Sequence, residues 1–166
     1  MTGDIQTEDL ILLIRKINLD LTSWLESTLR YKGMSGFQVY FMVYFLRHHR
    51  EGTYLTELCH ETGVSKSALS GLIKKLRNAG YLSFQEDPQD IRRKELFPTP
   101  KLLEEGKEFL RKADEMENAF GGALEPGERR RLWEILKRLA NAGEGTIKED
   151  RRLSYSEKSY TAAGNL

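Results

Sequence analysis

Residues 53–78 read TYLTELCHETGVSKSALSGLIKKLRN, and this stretch decides the fold. Leu55, Leu58 and Cys59 make the inner face of a helix about two turns long. Thr62-Gly63 breaks it, because glycine takes a positive φ that other residues resist. Ser65 is placed to cap a second helix, whose inner face is Leu69, Leu72, Ile73 and Leu76. Gly80 stands where a glycine ends such a helix. Two short amphipathic helices joined by a glycine turn form a helix-turn-helix. Beyond them, Tyr81-Leu82-Ser83-Phe84 and Lys94-Glu95-Leu96-Phe97 read as strands, and the polar segment 85–93 joins them as a long-tipped hairpin, a wing.

Working toward the N-terminus, Ser35-Gly36-Phe37-Gln38 has the form of a capping box. It opens a run from Phe37 to Leu46 that is apolar nearly all round and therefore central to its domain. Arg47-His48-His49-Arg50-Glu51-Gly52 closes it. The first 31 residues carry another helical pattern. Leu10, Leu13, Ile14, Ile17, Leu21, Trp24, Leu25 and Leu29 lay one apolar stripe. Ile11, Leu12 and Leu19 fall off it, which suggests a second partner. On the C-terminal side, Pro98 and Pro100 punctuate the exit from the wing. Leu102, Leu103, Phe109, Leu110, Ala113, Met116 and Phe120 then belong to one helix. Gly121-Gly122 interrupts, and Glu125-Pro126-Gly127-Glu128 starts another with Leu132, Trp133, Leu136, Leu139 and Ala140 on its apolar side.

The expected architecture is mainly α with a small β-hairpin wing: a winged helix-turn-helix plus a helical dimerisation lobe. Residues 1–34 would be an N-terminal dimerisation helix, 35–100 the winged helix-turn-helix, 101–142 C-terminal dimerisation helices and 143–166 a polar tail.

Charge narrows the function. The chain of 166 residues has a formal net charge of +1, which alone implies nothing about nucleic acid. From Val64 to Lys94, however, seven basic residues stand against three acidic ones, a local +4 that leaves −3 for the rest. A basic footprint confined to one segment is what a polyanion selects. A helix turns 100° per residue, so with Leu69, Leu72, Ile73 and Leu76 inward, the outer face carries Ser67, Ser70, Gly71, Lys74 and Asn78. Lysine, serine and asparagine can meet base edges in the major groove. Ser65 begins this helix, and Lys66, Lys75 and Arg77 flank the face where they would contact phosphates. The wing adds Asp90, Arg92, Arg93 and Lys94, a basic tip suited to the strong negative potential of a narrow minor groove. Asp90 is placed to orient the Arg92 guanidinium through a charge-assisted bond.

Other classes fare worse. His48 and His49 are adjacent and diverge on a helix, His60 and Cys59 are unpaired in sequence, and the single cysteine cannot build a thiolate site. There is no Walker loop, GxGxxG or nucleophile elbow. No catalytic residues, metal site or cofactor are therefore expected. The N-terminus lacks a secretory pattern, and no stretch reaches the ~18 apolar residues of a membrane span. A cytoplasmic protein with no membrane partner is the expectation. The alternative is a winged-helix module for protein–protein interaction without sequence-specific DNA binding, but that would present apolar or acidic residues where Lys74 and its neighbours stand. Trp24, Tyr40, Tyr44 and His48 supply aromatic walls and polar tips for a candidate effector pocket.

From Ser35 to Ala142 the chain resembles the MarR family of bacterial winged-helix regulators. The resemblance rests on Glu57-Leu58-Cys59, Gly63-Val64-Ser65-Lys66-Ser67, Leu72-Ile73-Lys74-Lys75-Leu76, Gly80-Tyr81-Leu82 and the wing Asp90-Ile91-Arg92. It implies a homodimer on a near-palindromic operator in double-stranded DNA, with each wing arginine in a minor groove. It further implies a repressor released by a small phenolic or anionic effector, and no catalysis. Two positions depart from the family: Gly71 stands where a long side chain is common, and Phe97-Pro98-Thr99-Pro100-Lys101 replaces the Leu-Thr-x-x-Gly that follows the wing, with glycine deferred to Gly106.

Overall fold

The computed structural model describes the backbone of residues 3–162, and side chains outside Ile91 and residues 146–162. Its elements run α1 (Thr7–Leu29), α2 (Gly36–His48), β1 (Thr53–Tyr54), α3 (Leu55–Thr62), α4 (Lys66–Asn78), β2 (Leu82–Asp87), β3 (Asp90–Pro98), α5 (Pro100–Gly121) and α6 (Pro126–Ala162). The chain is mainly α with one three-stranded antiparallel sheet, ordered β1-β3-β2. Two compact units divide between Asn118 and Ala119.

The first unit is built around α2. Its capping box forms as the sequence indicates: the Gln38 amide donates to Ser35 Oγ at 3.2 Å and the Ser35 amide to Gln38 Oε1 at 2.9 Å. Val39, Phe41, Met42, Val43, Phe45 and Leu46 are all buried. Helix α1 reaches α2 through a tight turn in which Lys32 and Gly33 both take positive φ, at 42° and 78°. The two helices then approach at Gly36, where a Cβ would overlap the backbone carbonyl of Leu25. The Gly36 amide donates to Glu26 Oε2 at 2.7 Å, so the crossing is hydrogen-bonded as well as close.

Helix α5 belongs to this same core. Leu102, Phe109, Ala113 and Met116 are buried with the α2 residues. Gly106 seats against Leu46, whose methyl group a Cβ at 106 would overlap. The deferred glycine thus permits close packing of α5 on α2. The sequence assigned α5 to a separate helical lobe because its stripe had no evident partner, but α2 is apolar all round and takes it. Thr99 starts α5 in the irregular Phe97–Lys101 segment. Its Oγ1 accepts from the Leu102 amide at 3.3 Å and donates to the Gly80 carbonyl at 2.6 Å.

Three further features differ from the sequence reading. Strand β1 pairs Thr53 with Leu96 and Tyr54 with Glu95, a two-residue strand too short to leave a periodic signal. The wing strands are longer than expected, so the tip is a turn at Pro88-Gln89 and not the whole of 85–93. An exposed hairpin has polar residues on both faces and shows no alternation to read. Helix α6 continues to Ala162, past the start of the expected tail at 143, because glycine within a helix costs only about 1 kcal/mol relative to alanine. Residues 163–166 of that tail lie outside the described residues.

Unlike the core, α1 and α6 leave apolar surface uncovered. On α1, Leu10, Leu13, Ile14 and Ile17 are exposed, and in the second unit so are Leu132, Trp133, Leu136 and Leu139 of α6. Among the described residues no helix is long and apolar enough to cross a membrane.

Because a methyl group at Gly36 meets backbone and not a flexible side chain, Gly36→Ala is expected to cost roughly 1–3 kcal/mol or more. Urea denaturation of the two proteins measures this, and equal midpoints would mean α1 and α2 do not cross as closely as described.

Candidate nucleic-acid interface

Helix α4 is held by both ends. At its start, Ser65 Oγ accepts from the Ala68 amide at 3.3 Å. At its finish, Gly80 takes φ 84°, its amide donates to Arg77 O and the Tyr81 amide donates to Leu76 O, each at 2.9 Å, forming a Schellman motif. Lys101 then donates to Ala79 O at 2.8 Å, bringing a cation to the negative end of the helix. Before α4, Gly63 closes α3 in the left-handed conformation, φ 69°.

Between these caps, Leu69, Ile73 and Leu76 are buried and Leu72 is half-buried. The opposite side faces solvent. Ser65, Lys66, Ser67, Ser70, Gly71, Lys74, Lys75, Arg77 and Asn78 are all exposed, and the helix holds no acidic residue. At Gly71 nothing lies within 4 Å of where a Cβ would stand. The face is therefore smooth at its middle and cationic along its length.

The hairpin brings the second group. Glu86 pairs with Lys94 but Asp87 pairs with Asp90, so residues 91–93 form a bulge on β3. Bulges bend a strand and re-aim its side chains. Asp90, Arg92, Arg93 and Lys94 are exposed there. Asp90 has a different task from the one its spacing suggested: its Oδ1 accepts the Arg92 backbone amide at 3.0 Å. A carboxylate two residues back satisfies the nearby backbone donor more readily than a guanidinium at the end of a long stem. Asp90 thus shapes the bulge that carries Arg92.

Two aromatic residues escaped the sequence reading. The Arg77 guanidinium lies 4.1 Å from the centroid of the Phe84 ring and the Lys94 ammonium 4.5 Å from it. Arg93 lies 4.3 Å from the Tyr54 ring. A cleft of about 280 Å³ opens between α4 and the hairpin, with Ser70, Lys74, Arg77, Phe84 and Lys94 in its lining. Phe84 was discernible as the residue two along from buried Leu82, on the same side of β2, but its cationic neighbours lie far apart in sequence.

The four candidate effector residues are arranged less compactly. Tyr40, Tyr44 and His48 follow at intervals of four along α2, and the Tyr44 and His48 rings lie 4.6 Å apart. Trp24 packs on the core from α1. The Tyr44 hydroxyl donates to Glu61 at 2.8 Å, and the Tyr40 hydroxyl to Glu117 at 2.5 Å. Burial first, then the adjacent carboxylate, pushes each phenol up to about 12. Arg47 bridges Glu117 at 2.7 Å and Asp114 at 2.6 Å, tying α2 to α5. Burial works upward on the Glu117 carboxyl, yet hydrogen bonds from Arg47 and Tyr40 outweigh it and hold it below its usual range. Among the described residues no cluster of three or more His, Cys, Asp or Glu could hold a metal ion.

The sequence profile of the MarR family matches residues 36–93, the segment from the start of α2 through the wing bulge. Over that segment the chain is similar to the MarR family. Its members are transcription regulators and not enzymes. Solved structures share the fold. MarR from Oenococcus oeni superposes with a TM-score of 0.72 at 20% identity, covering 80% of this chain and 99% of that one. The PcaV regulator of Streptomyces coelicolor, solved with its natural ligand, gives 0.69 at 20% identity over 86% of this chain and 99% of its own. MepR of S. aureus, solved with DNA, gives 0.68 at 20% over 79% and 95%. A search of curated protein sequences returns no match.

Two outcomes are expected. Gly71→Ala should stabilise the fold by up to about 1 kcal/mol, since its methyl group meets no neighbour; a lowered melting temperature would mean the face is occupied. Glu117→Gln should cost on the order of 1 kcal/mol at pH 7. A carboxyl held below its usual range stabilises the fold above the unfolded value near about 4.3 and loses that contribution as pH falls through its lowered folded value. The gap between the two proteins should therefore close in strong acid, which urea titrations at pH 7 and pH 3 would measure.

Proposed function

We propose that this chain is a DNA-binding transcriptional regulator acting as a homodimer on a near-palindromic operator, probed by α4 in the major groove and by Arg92 in the minor groove. The observation that carries this reading is the exposure of the entire outward face of α4. Ser65, Ser67, Ser70, Gly71, Lys74 and Asn78 are free to approach base edges, and Lys66, Lys75 and Arg77 border them. Arg93 and Lys94 stand beside Arg92 on the hairpin as phosphate contacts.

Homodimer formation is supported by the uncovered stripes of α1 and α6, since contiguous exposed apolar surface marks an interaction site. Two copies would set their α4 helices about 34–36 Å apart, one turn of duplex. The S. aureus relative solved with DNA agrees with this partner. Release by a small phenolic or anionic effector, which would make the protein a repressor, is supported by the relative solved with its natural ligand. Trp24, Tyr40, Tyr44 and His48 are the residues we assign to that effector. An interaction module for proteins alone is disfavoured by the cations on α4. It is distinguished by salt, because phosphate-driven binding weakens steeply as salt rises.

Arg92→Ala should weaken binding to duplex DNA by about tenfold or more, while sedimentation shows the same oligomer as the parent. Mobility shifts at two salt concentrations measure the first quantity. Unchanged affinity in this variant would remove the wing from the interface, and salt-indifferent affinity in the parent would remove DNA itself.

A further inference from the structure

Resting on the DNA-binding reading, we propose that Phe84 is a positioning residue of the interface, whose ring holds Arg77 of α4 and Lys94 of β3 in place before DNA arrives. Arg77 and Lys94 are both exposed and carry long, flexible stems. Left alone, each would sample many rotamers and would lose that freedom on docking to a phosphate. Two like charges also repel. Both nevertheless gather over one ring, at 4.1 Å and 4.5 Å from its centroid. The negative face of an aromatic ring attracts a cation within about 6 Å, and most strongly where water is partly excluded.

Packing alone does not call for an aromatic here. Phe84 sits opposite Leu96 on β3 and two residues from Leu82, both buried, while it is only half-buried itself. Leucine would continue that apolar face. What leucine lacks is the π-face. Because Arg77 belongs to the helix and Lys94 to the hairpin, the ring also fixes the spacing of cations that two separate elements bring to the DNA. Tyr54 holds Arg93 in the same manner at 4.3 Å. Arg92, exposed on the bulge, is the side chain the DNA-binding reading assigns to the groove.

A mutant cycle read by fluorescence anisotropy on a 30-bp mixed-sequence duplex at low salt tests this. Phe84→Leu should weaken binding by about tenfold, the sum of two modest cation–π contacts, and Phe84→Tyr should restore affinity to within about twofold because the ring face returns. In a chain already carrying Arg77→Ala and Lys94→Ala, Phe84→Leu should change nothing further, since non-additivity marks residues acting through one another. An equal loss in that background would make Phe84 ordinary packing and overturn the inference, as would undiminished affinity of Phe84→Leu in the parent. Should the leucine variant fail to fold, Phe84→Met carries the same cycle. A parent chain that does not bind the duplex at all would instead overturn the regulator reading beneath it.

Discussion

Leu69, Ile73 and Leu76 lie along one side of a helix, and burying them turns Ser67, Ser70, Gly71 and Lys74 to solvent. No rotation of α4 keeps the first group dry without exposing the second. Everything attributed to the interface depends on this constraint. The ends of the helix remove the remaining freedom: Ser65 fixes the start, the Schellman turn at Gly80 fixes the stop, and Lys101 anchors the last carbonyls from α5. A helix so tied presents its outer face as a rigid edge. The core behind it is equally specific, because the closest approach of α1 to α2 at Gly36 and of α5 to α2 at Gly106 each needs a residue without a side chain.

How much of this was legible follows from the range over which each interaction acts. The capping box at Ser35 and Gln38, the break at Gly63, the cap at Ser65 and the stop at Gly80 involve neighbours within a few residues, so the sequence displays them. Helical stripes are likewise periodic and visible. What stayed hidden was produced by tertiary contact. The β1 pairing with β3 spans some forty residues for two positions of strand. The stacking of Arg77 and Lys94 on Phe84 unites three elements. The burial of α5 needs α2 to be apolar on every side, a property readable in α2 but not assignable to a partner. The spacing of Asp90 and Arg92 marks an orienting group, yet the atom oriented is a backbone amide, a partner as near in sequence as the guanidinium.

The chain also separates its polar work from its apolar work. Cations collect on α4 and the hairpin, while Tyr40, Tyr44, Arg47 and His49 engage carboxylates of α3 and α5. These links join α2 to the helices that frame α4. A molecule that displaced Tyr40 from Glu117 or Tyr44 from Glu61 would therefore act on the helices packed around α4. The exposed apolar stripes of α1 and α6 belong to neither set of contacts.

The most direct test of the central claim is chemical protection of guanine N7, an atom that faces the major groove, on a bound operator fragment. If α4 of each protomer occupies that groove, protection should appear in two patches on one face of the duplex, centred about 10–10.5 bp apart or a multiple of it. Guanines that remain fully reactive beneath a bound protein, or a single unpaired patch, would contradict it.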